Sequence, residues 1–294
     1  MTAIDRILFG DNQFFGVNHM SEEKARAQQM RFRDTESIIR VLDNAYDRGI
    51  RSFMCTTHDE IGKIADHVAA NPERYDGFKF LPGMPYAHKY NNMVGELGVL
   101  DTIKTVAPGG VMEAMVRGAK SAVGRDVGQL MKMLVDAEMA RFAHVDTPVI
   151  FLQNVVTDLL LGLGNYDIFA DFVAYVNEKY EAEAGFFSMN MPAMVDALEK
   201  VDITNPIIAC NYNKIGFRMS GGIEAYDRTL DEKPVRCIAM SVLASGAIPP
   251  AEALEWVCER TKIESIVFGA SSDANISSTV NFITGFDANR AAAA

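Results

Sequence analysis

The chain has 294 residues, 49% of them hydrophobic and 23% charged, with 22 Gly and 10 Pro; that balance excludes a disordered, collagen-like or rod-like protein. A net charge of −11 lacks the basic footprint of a phosphate-backbone binder, so nucleic acid is not an expected partner. A length near 300 allows one large domain or two small ones, and α/β barrels reach this size as one.

Short apolar runs come in chain order at Ile7–Gly10, Arg51–Cys55, Phe78–Leu81, Pro148–Gln153, Gly185–Ser188, Pro206–Asn211, Arg236–Ser241 and Ser265–Gly269. Most are apolar at every position, as parallel strands covered on both faces should be. Amphipathic segments lie between them. Asp34–Arg48 sets Ile38, Ile39, Leu42 and Ala45 on one face and stops at Gly49. Pro192–Val201 reads as a short helix, Pro250–Thr261 opens with Pro and an early Glu252, and Asp273–Thr284 is the last. Eight strand–helix alternations predict a (β/α)8 TIM barrel over residues 1–290; a doubly wound open sheet is the competitor. Ala291–Ala294 reads as a frayed or artificial tail.

The 88–147 connection between the third and fourth strands is far longer than usual, with expected helices at Val99–Val106, Val111–Val123 and Asp126–Phe142. It reads either as a helical insertion over the mouth, serving as a lid or as the arm of a homo-oligomer, or as an outer helix layer. The N-terminal stretch has no apolar run long enough for a signal peptide, and the longest apolar segment, Val155 to Leu163, is broken by Thr157 and Asp158, so no membrane partner is expected. Cys55, Cys210, Cys237 and Cys258 form no C-x-x-C pair, which points to a reduced, cytoplasmic protein.

Barrels carry their chemistry at the C-terminal strand ends. Here those are Asp11, Asn12 and Gln13; Cys55 to Glu60; Gly83, Met84, Tyr86 and His88; Gln153 and Asn154; Ser188 and Asn190; Asn211 to Lys214; Ser241, Ser245 and Gly246; and Gly269 to Ser272. Amides and hydroxyls predominate, which suits orienting a polar small molecule, although Ser272 or Asp273 also reads as an ordinary helix cap. The small-residue turns Ala244–Gly246 and Gly269–Ser272 precede helices, where backbone N–H groups attract phosphate.

GFFSMNMPAMVDALE at Gly185–Glu199, NYNKIGFR at Asn211–Arg218, AMSVLASGAI at Ala239–Ile248 and SIVFGASSDANI at Ser265–Ile276 resemble segments of the aldo/keto reductase superfamily; FGDNQFFG at Phe9–Gly16 and SFMCTTHDEIGKI at Ser52–Ile64 are fainter matches. The resemblance implies a barrel binding NADPH across its mouth, with Ser188 and Asn190 near the nicotinamide carboxamide, Ser241, Leu243 and Gly246 along the pyrophosphate, and Gly269, Ser271 and Ser272 at the adenosine phosphate. The family's Asp, Tyr, Lys, His tetrad is not carried over. Its Asp position falls on Cys55, the loop of its Tyr is shortened to leave His58, its Lys position lies near Gly83 or Met84, and its His position near Gln153 or Asn154. The adenosine-phosphate turn has Asn275 where a basic residue is usual, and a 2′-phosphate needs a positive partner.

Among the remaining residues, His58 is the first candidate acid/base, with Asp59 or Glu60 to orient it. His19 and His88 follow other strands, and His67 reads as a surface residue. Lys214 is a candidate Schiff-base lysine and Cys55 a candidate nucleophile, each against a plainer reading as loop cation and buried thiol. No spacing supports a metal site. Three functions follow: a nicotinamide-dependent oxidoreductase with an altered catalytic set centred on His58; a non-redox lyase or isomerase on a small phosphorylated or sugar-like substrate; or a ligand-sensing protein without catalysis.

Overall fold

The computed structural model describes residues 2–16, 22–86 and 124–293. Its eight strands are β1 (Ile7–Gly10), β2 (Ser52–Thr56), β3 (Lys79–Met84), β4 (Val149–Leu152), β5 (Glu183–Ser188), β6 (Ile207–Asn211), β7 (Arg236–Met240) and β8 (Ile263–Phe268). Each pairs in parallel with its sequence neighbour, and β1 closes the ring against β8 through Ile7↔Ile266, Leu8↔Val267 and Phe9↔Phe268. The expected (β/α)8 barrel is therefore present, and the open sheet is excluded.

Closure explains the all-apolar runs. Alternate side chains of one strand face two different cores. Leu8, Met54, Leu81, Phe151, Phe187, Ala209, Ile238 and Val267 fill the lumen. Phe9, Phe53, Cys55, Phe80, Phe186, Cys210, Cys237 and Phe268 pack outward under the helices. Gly185 makes room for the lumen aromatics, since a Cβ there would lie 2.3 Å from the Phe151 ring. The floor holds Arg236, whose guanidinium bridges Glu183 and Glu264.

The outer layer comprises α1 (Glu22–Arg31), α2 (Thr35–Asp47), α3 (Asp59–Ala70), α4 (Gly124–Met139), α5 (Asn154–Leu163), α6 (Asp167–Tyr180), α7 (Met191–Glu199), α8 (Gly222–Glu232), α9 (Pro250–Cys258) and α10 (Asp273–Ala293). On α2 the buried face is Ser37, Ile38, Val41, Leu42 and Ala45, so Val41 replaces the expected Ile39. Asp34 caps that helix through the Ser37 N–H, and Gly49 takes φ 88° beyond its end. Strand β3 runs on to Met84, beyond the expected stop at Leu81, because the fixed φ of Pro82 suits extended backbone and costs the ladder one donor. The last helix continues past Thr284 to Ala293, through alanines expected to be frayed; alanine is the best helix former. The helices expected at Val99–Val106 and Val111–Val123 lie outside the described residues, as do His19 and His88; the third expected helix of that connection is α4.

Candidate active site

The mouth divides by what its polar groups do. On the β1–β3 side three adjacent strand ends converge, with Gly10 level with Met54 and Thr56 level with Gly83. Asp11, just beyond β1, accepts two 2.7 Å hydrogen bonds on Oδ2, from the backbone N–H and the hydroxyl of Thr56. It is buried, and burial raises its carboxyl pKa against the lowering effect of those bonds.

His58 is the N-cap of α3, and its Nδ1 accepts from the Glu60 N–H at 3.0 Å. Its ring stacks on Phe15 at 4.2 Å and meets the edge of Tyr86 at 5.5 Å. Desolvation lowers its pKa, with Asp59 and Glu60 opposing. The neutral ring with Nδ1 accepting must carry its proton on Nε2, so it offers a donor. The carboxylates expected to orient His58 are used elsewhere: Asp59 pairs with Arg141 at 2.7 Å, and Glu60 accepts from the Thr35 hydroxyl and Lys63. The Glu60 backbone orients the ring instead.

Tyr86, two residues beyond β3, is half-buried; burial and then the Asp11 charge hold its phenol above the usual range. Gln153 donates from Nε2 to the Gly83 carbonyl at 3.3 Å, which places it at the lumen edge. Gln13 donates to the Gly10 carbonyl and leans on Gly269, where a Cβ would lie 2.0 Å from its Oε1. Gln13 Oε1 and Thr57 Oγ1 are buried with no hydrogen-bond partner among the described residues. Cys55 is turned into the barrel–helix layer, and burial lifts its thiol well above the usual range, so it presents no thiolate to the mouth.

The β5–β7 side is occupied with itself. The Ser188 hydroxyl donates to Asp158 of α5 at 2.7 Å, and the Met189 N–H binds the same carboxylate. Asn190 caps α7 through the Ala193 N–H. Asn211 donates to the Arg218 carbonyl at 3.1 Å, and Asn213 closes the following loop on the Phe217 backbone. Tyr212 is fully buried outward, its hydroxyl on Asp227. Lys214 is exposed and ion-paired to Glu252 at 2.7 Å, outside any desolvated pocket that would make it a nucleophile. After β7, Ser241, Ala244, Ser245 and Gly246 take positive φ, and Leu243 packs this turn on Ala244, Ile248 and Ala253.

The β8–α10 turn opens outward onto a cavity of about 370 Å³ lined by Arg31, Phe32, Arg40, Asn44, Ser271 and Ser272, among others. Arg31 donates to the Ser271 carbonyl, and the Ser272 hydroxyl accepts from the Asn275 N–H. Asp273, the carboxylate in this lining, is paired with Arg48 at 2.9 Å. The sequence reading found Ser271 and Ser272 but not the arginines, which arrive from α1 and α2, far away in the chain. Among the described residues no three His, Cys, Asp or Glu converge as metal ligands, and no helix is long and apolar enough to cross a membrane.

No family model and no curated protein matches the sequence. Solved structures do. A candidate aldo-keto reductase of Pseudomonas aeruginosa superposes with a TM-score of 0.60 at 12% identity, covering 96% of this chain and 91% of its own. A Bombyx mori aldo-keto reductase in complex with NADP gives 0.57 at 7% identity, covering 97% and 88%, and aldose reductase from Giardia lamblia gives 0.56 at 11%, covering 97% and 88%. What the chain shares with them is the barrel fold over nearly its whole length.

Proposed function

We propose that the protein is an oxidoreductase of aldo/keto reductase type that binds NADP(H) across the β8 rim and reduces a carbonyl group of a small molecule at the β1–β3 side of the mouth. One observation carries this reading: the turn Gly269–Ser272 belongs to the lumen at Gly269, against Gln13, and to the outer cavity at Ser271 and Ser272. A nucleotide lying along it has the mouth at one end and two guanidinium groups at the other. The donor set there suits a phosphorylated ribose, with Arg31, Arg40, two serines and a carboxylate already neutralised by Arg48. The positive partner absent from the turn itself is supplied by α1 and α2. At the other end Ser188 and Asn190 are tied to Asp158 and the α7 backbone, so in this reading the nicotinamide end relies on other lumen groups.

When bound, the dihydronicotinamide supplies a hydride. The chain's own groups hold the acceptor: His58 offers Nε2–H to its oxygen, Gln153 edges the lumen, and the rings of Phe15 and Tyr86 flank His58 and exclude water. Four free, buried cysteines suit a reducing cytoplasm.

Fluorescence titration with NADPH and NADH tests the reading. Micromolar NADPH binding is expected, with Arg40→Ala weakening NADPH about tenfold, one charged contact's worth, and NADH hardly at all. No binding at millimolar nucleotide would remove it.

A further inference from the structure

We propose that Gln13 is a ligand-displaced gate: in the free protein its side chain plugs the notch joining the mouth to the outer cavity, and a bound ligand moves it aside and supplies, through an O–H or N–H group, the donor its Oε1 lacks. The inference rests on the nucleotide-binding reading above and adds how that site opens and which chemistry it reads at the crossing.

Strands β1 and β8 lie side by side, and their last registered pair is Phe9↔Phe268. A glycine follows on each, Gly10 and Gly269, so neither wall carries a Cβ and a notch is left between them. Gln13 fills it from one side. It lies on the turn closed by the Phe14 N–H on the Asp11 carbonyl at 2.9 Å. Its side chain folds back over the strand ends, and Nε2 donates to the Gly10 carbonyl at 2.8 Å. That bond fixes the orientation of the amide, since a flipped one would set two acceptors against each other. Oε1 therefore lies on Gly269, 2.0 Å from where a Cβ would stand, and the three atoms nearest that point all belong to Gln13. The amide takes the place of the side chain that Gly269 lacks.

Two observations make this seat a closed state of the site and not a fixed part of the rim. Gln13 is only 6% exposed, and its Oε1 is buried with no hydrogen-bond partner among the described residues. A folded protein seldom leaves an acceptor in that condition unless another molecule completes it. Among the described residues one hydrogen bond holds the side chain in place, and swinging it out gives up that bond while freeing Oε1. Beyond the notch lie Ser271 and Ser272 with Arg31 and Arg40. Phosphate oxygens accept hydrogen bonds and belong with those guanidinium groups; set on Oε1 they would meet a second acceptor. The crossing at Gly269 calls for a donor instead, and the ribose hydroxyls are the donors a nucleotide carries next to its phosphates.

Stopped-flow fluorescence with NADPH separates a gate from a plain contact. A gate open about 10% of the time slows association about tenfold, so Gln13→Ala is expected to bind about tenfold faster. The same variant lacks the acceptor, so NADPH is expected to leave about fivefold faster, one hydrogen bond's worth. Both rates rise and affinity changes little. Gly269→Ala unseats the plug but keeps Oε1, so association is expected to rise in the same way while dissociation stays within about twofold of wild type. Wild-type rates in both variants overturn the inference, as they would if a buried water satisfied Oε1. Slower association in Gln13→Ala overturns it too, because Gln13 would then be a contact in an open site. A second measurement needs no nucleotide: the Gln13 side-chain amide, identified by NMR through its loss in Gln13→Ala, is expected to exchange its protons at least about tenfold more slowly than exposed glutamine amides. An amide that exchanges like an exposed one overturns the gate whether or not NADPH binds. Failure of wild type and both variants to bind NADPH removes the nucleotide reading, and the proposal that rests on it, separately from the amide result.

Discussion

The two sides of the mouth have the same kinds of residue and opposite employment. On the β5–β7 side Ser188, Asn190, Asn211, Tyr212, Asn213 and Lys214 are each held by a neighbouring helix or by their own backbone. On the β1–β3 side the polar groups sit at adjacent strand ends: Asp11 bonded to Thr56, His58 between two aromatic rings, and Tyr86 edge-on to His58. Polar residues at strand ends thus divide into those that build the rim and those the rim presents. Only the partner of each group separates them.

The contrast can be broken at several points. The largest effect is expected from Gly185→Ala. Its new Cβ meets a Phe151 ring fixed in a filled lumen, and overpacking of that kind costs about 3 kcal/mol. Gly269→Ala across the ring meets only the end of the Gln13 side chain, which can swing aside, so its cost is below about 1 kcal/mol. Chemical denaturation compares the two, and equal losses would mean that the rim at Gln13 is as rigid as the lumen.

Next comes Ser188→Ala. Removing a hydroxyl that binds a partly buried carboxylate should lower stability by about 2 kcal/mol while leaving NADPH affinity within about twofold. A tenfold loss of affinity without loss of stability would move Ser188 to the ligand-facing class.

Asp11→Asn sharpens the comparison through pH. A carboxyl whose pKa is raised on folding penalises the folded state where it must ionise, so that penalty is absent below the unfolded pKa and complete above the folded one. Asn should therefore raise stability at pH 7 relative to its effect at pH 3. A variant whose effect is the same at both pH values would show that Asp11 pays no burial penalty. The smallest effect belongs to Lys214→Ala. An exposed ion pair is worth little, so stability should shift by less than about 0.5 kcal/mol, and a collapse in turnover would reinstate it as a working lysine.

Much of the barrel is legible in the chain because it follows from local pattern. The eight apolar runs all become strands, and boundaries shift by one to three residues, most where β3 continues through Pro82 to Met84. Helices α1, α5, α6 and α8 were not read as such. The mean hydropathy of α1 is low, and α5 and α6 sit in one nearly continuous apolar and aromatic stretch where 3.6-residue spacing is blurred. At the site, His58, Gln153, Ser271 and Ser272 were legible as strand-end residues, and Asp11 and Tyr86 were visible without an evident role. Arg31 and Arg40 carried no signal, since an arginine on a polar helix face usually serves only solvation.

Composition and periodicity by themselves determined the alternation of strand and helix, the covering of both sheet faces and the set of residues that could line an opening. Those properties depend on neighbours a few positions apart. Only tertiary structure decided that Cys55 faces helices, that Ser188 belongs to Asp158, that Arg31 and Arg40 flank Ser271 and Ser272, and that Tyr86 meets the edge of the His58 ring. Hydrogen bonds and charge effects act over a few ångströms between groups that ring closure brings together, whatever their separation along the chain.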